Sequence, residues 1–245
     1  MATAMPRALI EIDYEEAAQA YLRSLPLEHF MEAPAQAKQR EITLESLALL
    51  KARRPDVQVF NELLVQYPWL RQRRLGQVVP DNMVVVSNEP VRAVSSYNLT
   101  LEAARPFWVM EYVSKHSQRK DYKDSFNKYE RDLKVPYYLI FNPDKLELTL
   151  YHHNGKKYVA VKPNKDGRYP LAELDLEIGL LGGWVRFWHQ GELLLLPADL
   201  QRDLEDAQRR ADELQHRLEA AERELARYRA AGKPPGRRNG SRGDK

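Results

Sequence analysis

Apolar positions along the chain change their spacing three times, and each change predicts a different kind of element. Tyr14, Ala18 and Leu22 recur every four residues until Pro26 stops the pattern, which predicts a first helix. A second amphipathic helix is expected from about Ala35 to Arg53, with Leu44, Leu47, Ala48 and Leu50 on one face and Pro55 beyond its end. The pattern then shortens to β-rich runs with turn signals between them: VQVFNELLVQY (57–67), VVPDNMVVVS (78–87), PFWVMEYVS (106–114), VPYYLIF (135–141), LELTLYHH (146–153) and KKYVAVK (156–162). One helix interrupts them, DYKDSFNKYERDL from Asp121 to Leu133. Its Tyr122, Phe126, Tyr129 and Leu133 form a stripe, and Asp121 suits an acidic first turn. Asn154–Gly155 between the last two runs is a strong hairpin signal. A further β unit, GWVRFWHQGELLLL, ends near Pro197. The order predicts an α/β or α+β fold on a sheet of about six strands.

From Ala198 the period becomes seven. Leu200, Leu204, Ala207, Ala211, Leu214, Leu218, Ala221, Leu225 and Tyr228 alternate spacings of four and three, with Arg, Asp and Glu elsewhere. A coiled-coil helix over 198–230 follows, extending on the order of 45 Å at the usual rise. Alone such a helix is marginal. It is expected to pair with a copy of itself, giving a homodimer, rather than to lie on the globular part. After Ala231 the basic, Gly/Pro-rich GKPPGRRNGSRGDK reads as a disordered tail. The expected organisation is therefore a domain over 1–197, a coiled coil over 198–230 and a tail over 231–245.

Composition narrows the chemistry. The 245 residues contain no cysteine, which excludes disulfides, thiolate metal sites and a cysteine nucleophile. A net charge of +3 permits a polyanionic partner without requiring one. The N-terminal stretch is acidic where a signal peptide needs an apolar run, and no segment approaches the ~18 apolar residues of a membrane span. A soluble, cytoplasmic protein is expected.

The strands carry acids in unusual places. Glu111 stands inside WVMEYVSK, an otherwise buried-looking run, where an uncompensated charge costs several kcal/mol (on the order given by transfer data). Asp81 follows Pro80 at the mouth of the preceding apolar run. If the two strands are neighbours, their backbones lie about 4.8 Å apart and the carboxylates share one space. Like charges that close need a proton or a cation between them. With no cysteine and no clustered histidines, the natural cation is Mg²⁺, which needs only one or two carboxylates. Glu62 in FNELLV is a possible third ligand, or an edge residue facing water. The plain alternatives are turn chemistry for Asp81 and a Lys or Arg partner for Glu111. His152 and His153 are adjacent on a strand and point to opposite faces. GLLGGW lacks the Lys-Ser/Thr of a phosphate-binding loop, and no G-x-S-x-G turn is present.

Taken in order, VVPDNMVVV, PFWVMEYVSKHSQRKDY and KYERDLKVPYYLIFNPD resemble the Uma-type family of restriction-endonuclease-like proteins, within the PD-(D/E)XK nuclease superfamily. The resemblance covers roughly residues 10 to 195 and is strongest from Pro80 to Asp144. It implies a mixed central sheet flanked by helices and Mg²⁺-dependent hydrolysis of DNA phosphodiester bonds, with Mn²⁺ able to substitute. It also implies that Asp81 and Glu111 hold the ion. The superfamily's lysine two residues after the Glu is here Val113. Lys115 shares that strand face but lies about 13 Å from Glu111 if the strand is extended. In this family the lysine commonly moves to the following helix, four residues after its first Asp, which here is Ser125. Lys128 lies about 60° round an α-helix from Ser125, and Lys123 about 160°. Lys128 is thus the first candidate and Lys115 the second. These departures keep open an alternative, a nuclease-fold module that binds nucleic acid or assembles without catalysis.

Overall fold

The computed structural model of the chain describes residues 7–25, 33–69, 74–113 and 120–232. It divides into two units, Met1–Leu194 and Leu195–Lys245. The first opens with helices α1 (Arg7–Ser24) and α2 (Pro34–Arg53). The strands that build or adjoin the functional region are β1 (Val57–Asn61), β2 (Leu64–Trp69), β3 (Arg74–Val78), β4 (Asn82–Val86), β5 (Ser96–Asn98), β6 (Pro106–Tyr112), β7 (Tyr137–Asn142), β8 (Glu147–His153) and β9 (Tyr158–Ala160). Among the described residues four more follow, β10 (Tyr169–Leu171), β11 (Leu176–Leu181), β12 (Trp184–His189) and β13 (Glu192–Leu193).

The central sheet has six strands in the order β1-β4-β6-β7-β8-β9. It is mixed: β6 and β7 run parallel, and the other pairs are antiparallel. A three-stranded sheet, β3-β2-β5, and a four-stranded sheet, β10-β11-β12-β13, accompany it. This is the mixed α/β architecture expected from the sequence, with more strands than the sequence pattern resolves.

Strand alternation sorts the core into two faces. Val84, Trp108, Met110, Leu139 and Phe141 pack with Leu47 and Leu50 of α2 and with Ile178 and Phe187 of the four-stranded sheet. Met83, Val85, Val109, Tyr138 and Ile140 face the other way, against Tyr67, Val78 and Tyr97 of the small sheet. Tyr129 and Leu133 join this second cluster from the segment between β6 and β7.

That segment differs from expectation in an informative way. It is helical, but its turns are π-type over Lys120–Ser125 and Lys128–Leu133. The wider turn shifts the inner stripe: Ser125, Tyr129 and Leu133 are buried, whereas Tyr122 is exposed. Angles computed for an α-helix therefore do not carry over to Lys128. Phe126 fixes the helix on the sheet by edge-on contacts with Tyr151 at 5.1 Å and Tyr158 at 5.3 Å. Tyr67 ties β2 to the same helix through its hydroxyl, which donates to Asp132 at 3.3 Å. The Tyr67 ring lies where a Cβ on the cross-strand Gly76 would stand, so this position excludes any larger residue.

Other elements shift for similar physical reasons. The run 57–67 breaks into β1 and β2 because Glu62 takes a left-handed φ of 48°. The inward face of α2 is Gln39, Ile42, Thr43, Ser46, Leu47 and Leu50, while Ala48 is exposed. Its polar members are satisfied internally; Gln39, for example, exchanges two hydrogen bonds with the Val185 backbone. Likewise Leu22 of α1 is exposed, although Tyr14 and Ala18 are buried. The β8–β9 connection spans Asn154 to Lys157, with the Asn154 side chain accepting from the amides of Lys156 and Lys157.

A buried histidine in β12 gives the fold a pH dependence. His189 Nδ1 lies 3.3 Å from Arg53 Nη1. Burial first, and the Arg53 charge second, hold its pKa below the ordinary value, with Arg54 adding and Asp175 opposing. The unfolded chain then takes the proton more readily than the folded one. Stability is full above the unfolded pKa of about 6.5 and falls as pH drops below it. Urea midpoints measured from pH 7.5 to 5.5 should decline more steeply in the wild type than in His189→Gln. Equal slopes would remove His189 from this account.

The second unit contains one long helix, α3 (Pro197–Ala231), of 35 residues. Pro197 occupies its first turn, and the Asp199 carboxylate accepts from the Leu196 amide at 3.0 Å. None of its residues is buried; Leu200, Leu204, Leu214, Leu218, Leu225 and Tyr228 are all exposed. Among the described residues no helix is long and apolar enough to cross a membrane. Residues 233–245, most of the expected tail, lie outside the described residues.

Candidate active site

Antiparallel pairing of β4 with β6 sets Asn82 against Met110. Continued by one residue, that register sets Asp81 opposite Glu111. Alternation assigns both to the second face, since Met83 and Val109 lie there. Glu111 thus lies within β6, and Asp81 stands immediately before the neighbouring strand β4.

Each is held differently. Glu111 is fully buried, and its Oε1 accepts from the Tyr129 hydroxyl at 2.6 Å. Asp81 is partly exposed just before β4, and its Oδ2 accepts from the Tyr112 amide at 2.5 Å. Tyr129 reports their proximity. Its phenol pKa is pushed well above the ordinary value by burial first, then by the Glu111 charge, with Asp81 also contributing. The phenol therefore remains protonated and stays a hydrogen-bond donor at any physiological pH.

Glu62 lies just beyond β1, and its amide donates to the Asp81 carbonyl at 3.2 Å. Its carboxylate turns elsewhere, accepting from Arg40 Nη1 of α2 at 3.4 Å, and its side chain is 49% exposed. Asp81 lines an open notch with Gln36, Arg40, Asn61, Glu62, Met110 and Tyr112.

Both lysine positions considered from the sequence hold buried residues. Val113 packs on the same face as Glu111 and donates its amide to the Phe141 carbonyl at 2.8 Å. Ser125 is buried in the π-type helix. Lys128, adjacent to Tyr129, donates its ammonium to the Gln77 carbonyl of β3 at 2.8 Å. Lys115 lies outside the described residues.

Among the described residues no group of three or more His, Cys, Asp or Glu side chains gathers as a metal cage. The donor set of Asp81 and Glu111 is all carboxylate oxygen, which fits a hard divalent ion that keeps several waters. The sequence pattern flagged both acids but passed over Tyr129, Arg40 and the Tyr112 amide. Tyr129 left a signal, a polar-tipped aromatic on an inward stripe. The other two act through tertiary placement that no local pattern encodes.

The mixed six-stranded sheet carries Glu111 inside β6 and Asp81 at the start of the neighbouring β4. Residues 28–182 match the Uma2 family, "Putative restriction endonuclease", and the chain belongs to that family. Membership supports a nuclease function. Among solved structures, one described as "a putative nuclease belonging to DUF820" from Anabaena variabilis ATCC 29413 is similar at 16% identity and a TM-score of 0.43, over 59% of this chain and 75% of that one. No curated protein matches the chain.

Proposed function

We propose that this chain is a Mg²⁺-dependent endonuclease that hydrolyses DNA phosphodiester bonds and acts as a homodimer through α3. The observation that supports the reading is that Asp81, at the start of β4, accepts from the Tyr112 amide next to Glu111, while Glu111 itself accepts from the Tyr129 hydroxyl. Asp81 and Glu111 are the protein ligands, and Mn²⁺ substitutes for Mg²⁺. When bound, the ion polarises the scissile phosphate and lowers the pKa of an attacking water. Tyr112 and Tyr129 fix the two carboxylates through their amide and hydroxyl donors. Lys128 offsets negative charge developing on the phosphate, with Lys115 the second candidate for that role. Glu62, which lines the same notch as Asp81 and pairs with Arg40 at 3.4 Å, is the further candidate ligand.

A second reading, a nuclease fold that binds nucleic acid without cutting it, is favoured by Val113 and Ser125 at the two lysine positions. Incubating the protein with supercoiled plasmid and Mg²⁺ or Mn²⁺ separates the two. The wild type should nick or linearise the DNA, and Asp81→Ala and Glu111→Ala should not. Cleavage that survives both substitutions overturns the site, whereas binding without cleavage by the wild type supports the second reading.

A further inference from the structure

The exposed seam of α3 is a feature that the proposed chemistry leaves unused. Leu204 and Leu218 remain 58% and 60% exposed, and the rest of the seam is similarly bare. We propose that its occupant is α3 of a second copy, aligned parallel and in register as a two-stranded coiled coil. This rests on the homodimer reading and adds to it an orientation and a register.

The argument comes from the charges that flank the seam. With Leu204, Leu218 and Leu225 at one core position and Leu214 and Ala221 at the other, the flanking residues are fixed. Arg217 and Glu224 precede seam leucines; Glu222 and Arg229 follow the other core set. In a parallel pair, each residue of the first kind faces the residue five positions further along the partner helix. Arg217 then meets Glu222 of the second copy, and Glu224 meets Arg229 of the second copy. Both contacts are attractive, and twofold symmetry repeats them.

Antiparallel pairing over the same length reverses this result. It sets Leu218 opposite Ala207 and Leu204 opposite Ala221, which makes the layers more even in size. The same alignment brings Arg217 beside Arg210 and Glu224 beside Asp203, like charge against like, again twice each. Either orientation buries the same apolar residues, so the flanking charges distinguish them. A parallel pair also tethers both globular units, by chain connectivity alone, at one end of the rod. Two single-strand cuts on one duplex would then come from units attached at a common point.

Charge reversal gives opposite signs for the two orientations. The full chain carrying Arg217→Glu/Glu224→Arg turns every attractive contact of a parallel pair repulsive. It turns the antiparallel contacts attractive. Sedimentation equilibrium at low salt, where such pairs are least screened, is the measurement. The parallel pair should weaken on the order of tenfold or more. A second variant, Glu222→Arg/Arg229→Glu, should weaken it similarly, and mixing the two variants should restore tight pairing as a heterodimer. Helix content by circular dichroism checks that α3 still forms. Because the chain has no cysteine, Ala221→Cys adds an independent test. A parallel pair in register brings the two introduced thiols face to face, and mild oxidation then links the two chains by a disulfide. Tighter pairing in the first variant overturns the orientation and leaves the homodimer intact. A monomeric wild type overturns both. Neither result bears on whether the globular unit cuts DNA.

Discussion

Replacing Glu111 by glutamine is expected to lower metal-dependent cleavage by about 10³-fold or more while the protein stays folded. Glutamine keeps the shape and one carbonyl oxygen, so the Tyr129 hydroxyl retains an acceptor inside the core. It gives up the negative charge that would bind a divalent ion. Glu111→Ala should behave differently. It removes the acceptor as well, leaves the buried Tyr129 hydroxyl unsatisfied and opens a cavity, for a combined cost of about 2–4 kcal/mol. The pair of variants thus separates chemistry from folding. Cleavage assays and urea denaturation on both should show activity lost in each and stability lost chiefly in the alanine variant. Retained cleavage in Glu111→Gln would mean that the carboxylate charge is not used.

The second large effect concerns Tyr129, which is fully buried and donates to Glu111 at 2.6 Å. Tyr129→Phe preserves the ring and its packing against Tyr138, whose centroid is 4.9 Å away. Only the hydroxyl is lost. A hydrogen bond to a charged group contributes about 1.5–3 kcal/mol, so the variant should be destabilised by roughly that amount. At this chain length that corresponds to a melting point lower by several degrees. A double-mutant cycle with Glu111→Gln identifies the source: the hydroxyl should be worth less opposite a neutral acceptor. Additive effects would place the loss in packing rather than in the Tyr129–Glu111 contact.

Much of this arrangement is legible in the sequence, and the limits have physical causes. The Asp81 and Glu111 runs stand out because acids interrupt apolar residues, whereas the pairing of β4 with β6 skips β5 and is set by tertiary structure. The short strands β5 and β10 do not stand out, because SYN and YPL are too short to show a period of two. The π-type turns over residues 120–133 change the angular relation between Ser125 and Lys128, which sequence spacing reads on the commoner α geometry. Glu62 reads from the sequence as a strand acid, whereas the structure puts it in the break between β1 and β2, at a left-handed φ and paired with Arg40. Its partner lies 22 positions away, on helix α2. The extent of α3, Pro197–Ala231, is by contrast legible almost to its ends, because a helical pattern of this length depends on no distant contact.

Isothermal calorimetry with Mg²⁺ tests the central claim most directly, that Asp81 and Glu111 together hold a divalent ion. The wild-type protein should bind Mg²⁺ at millimolar concentration or below, and both Asp81→Asn and Glu111→Gln should lose that binding while remaining folded. A wild type that binds no ion, or variants that bind it as well as the wild type does, would contradict the account.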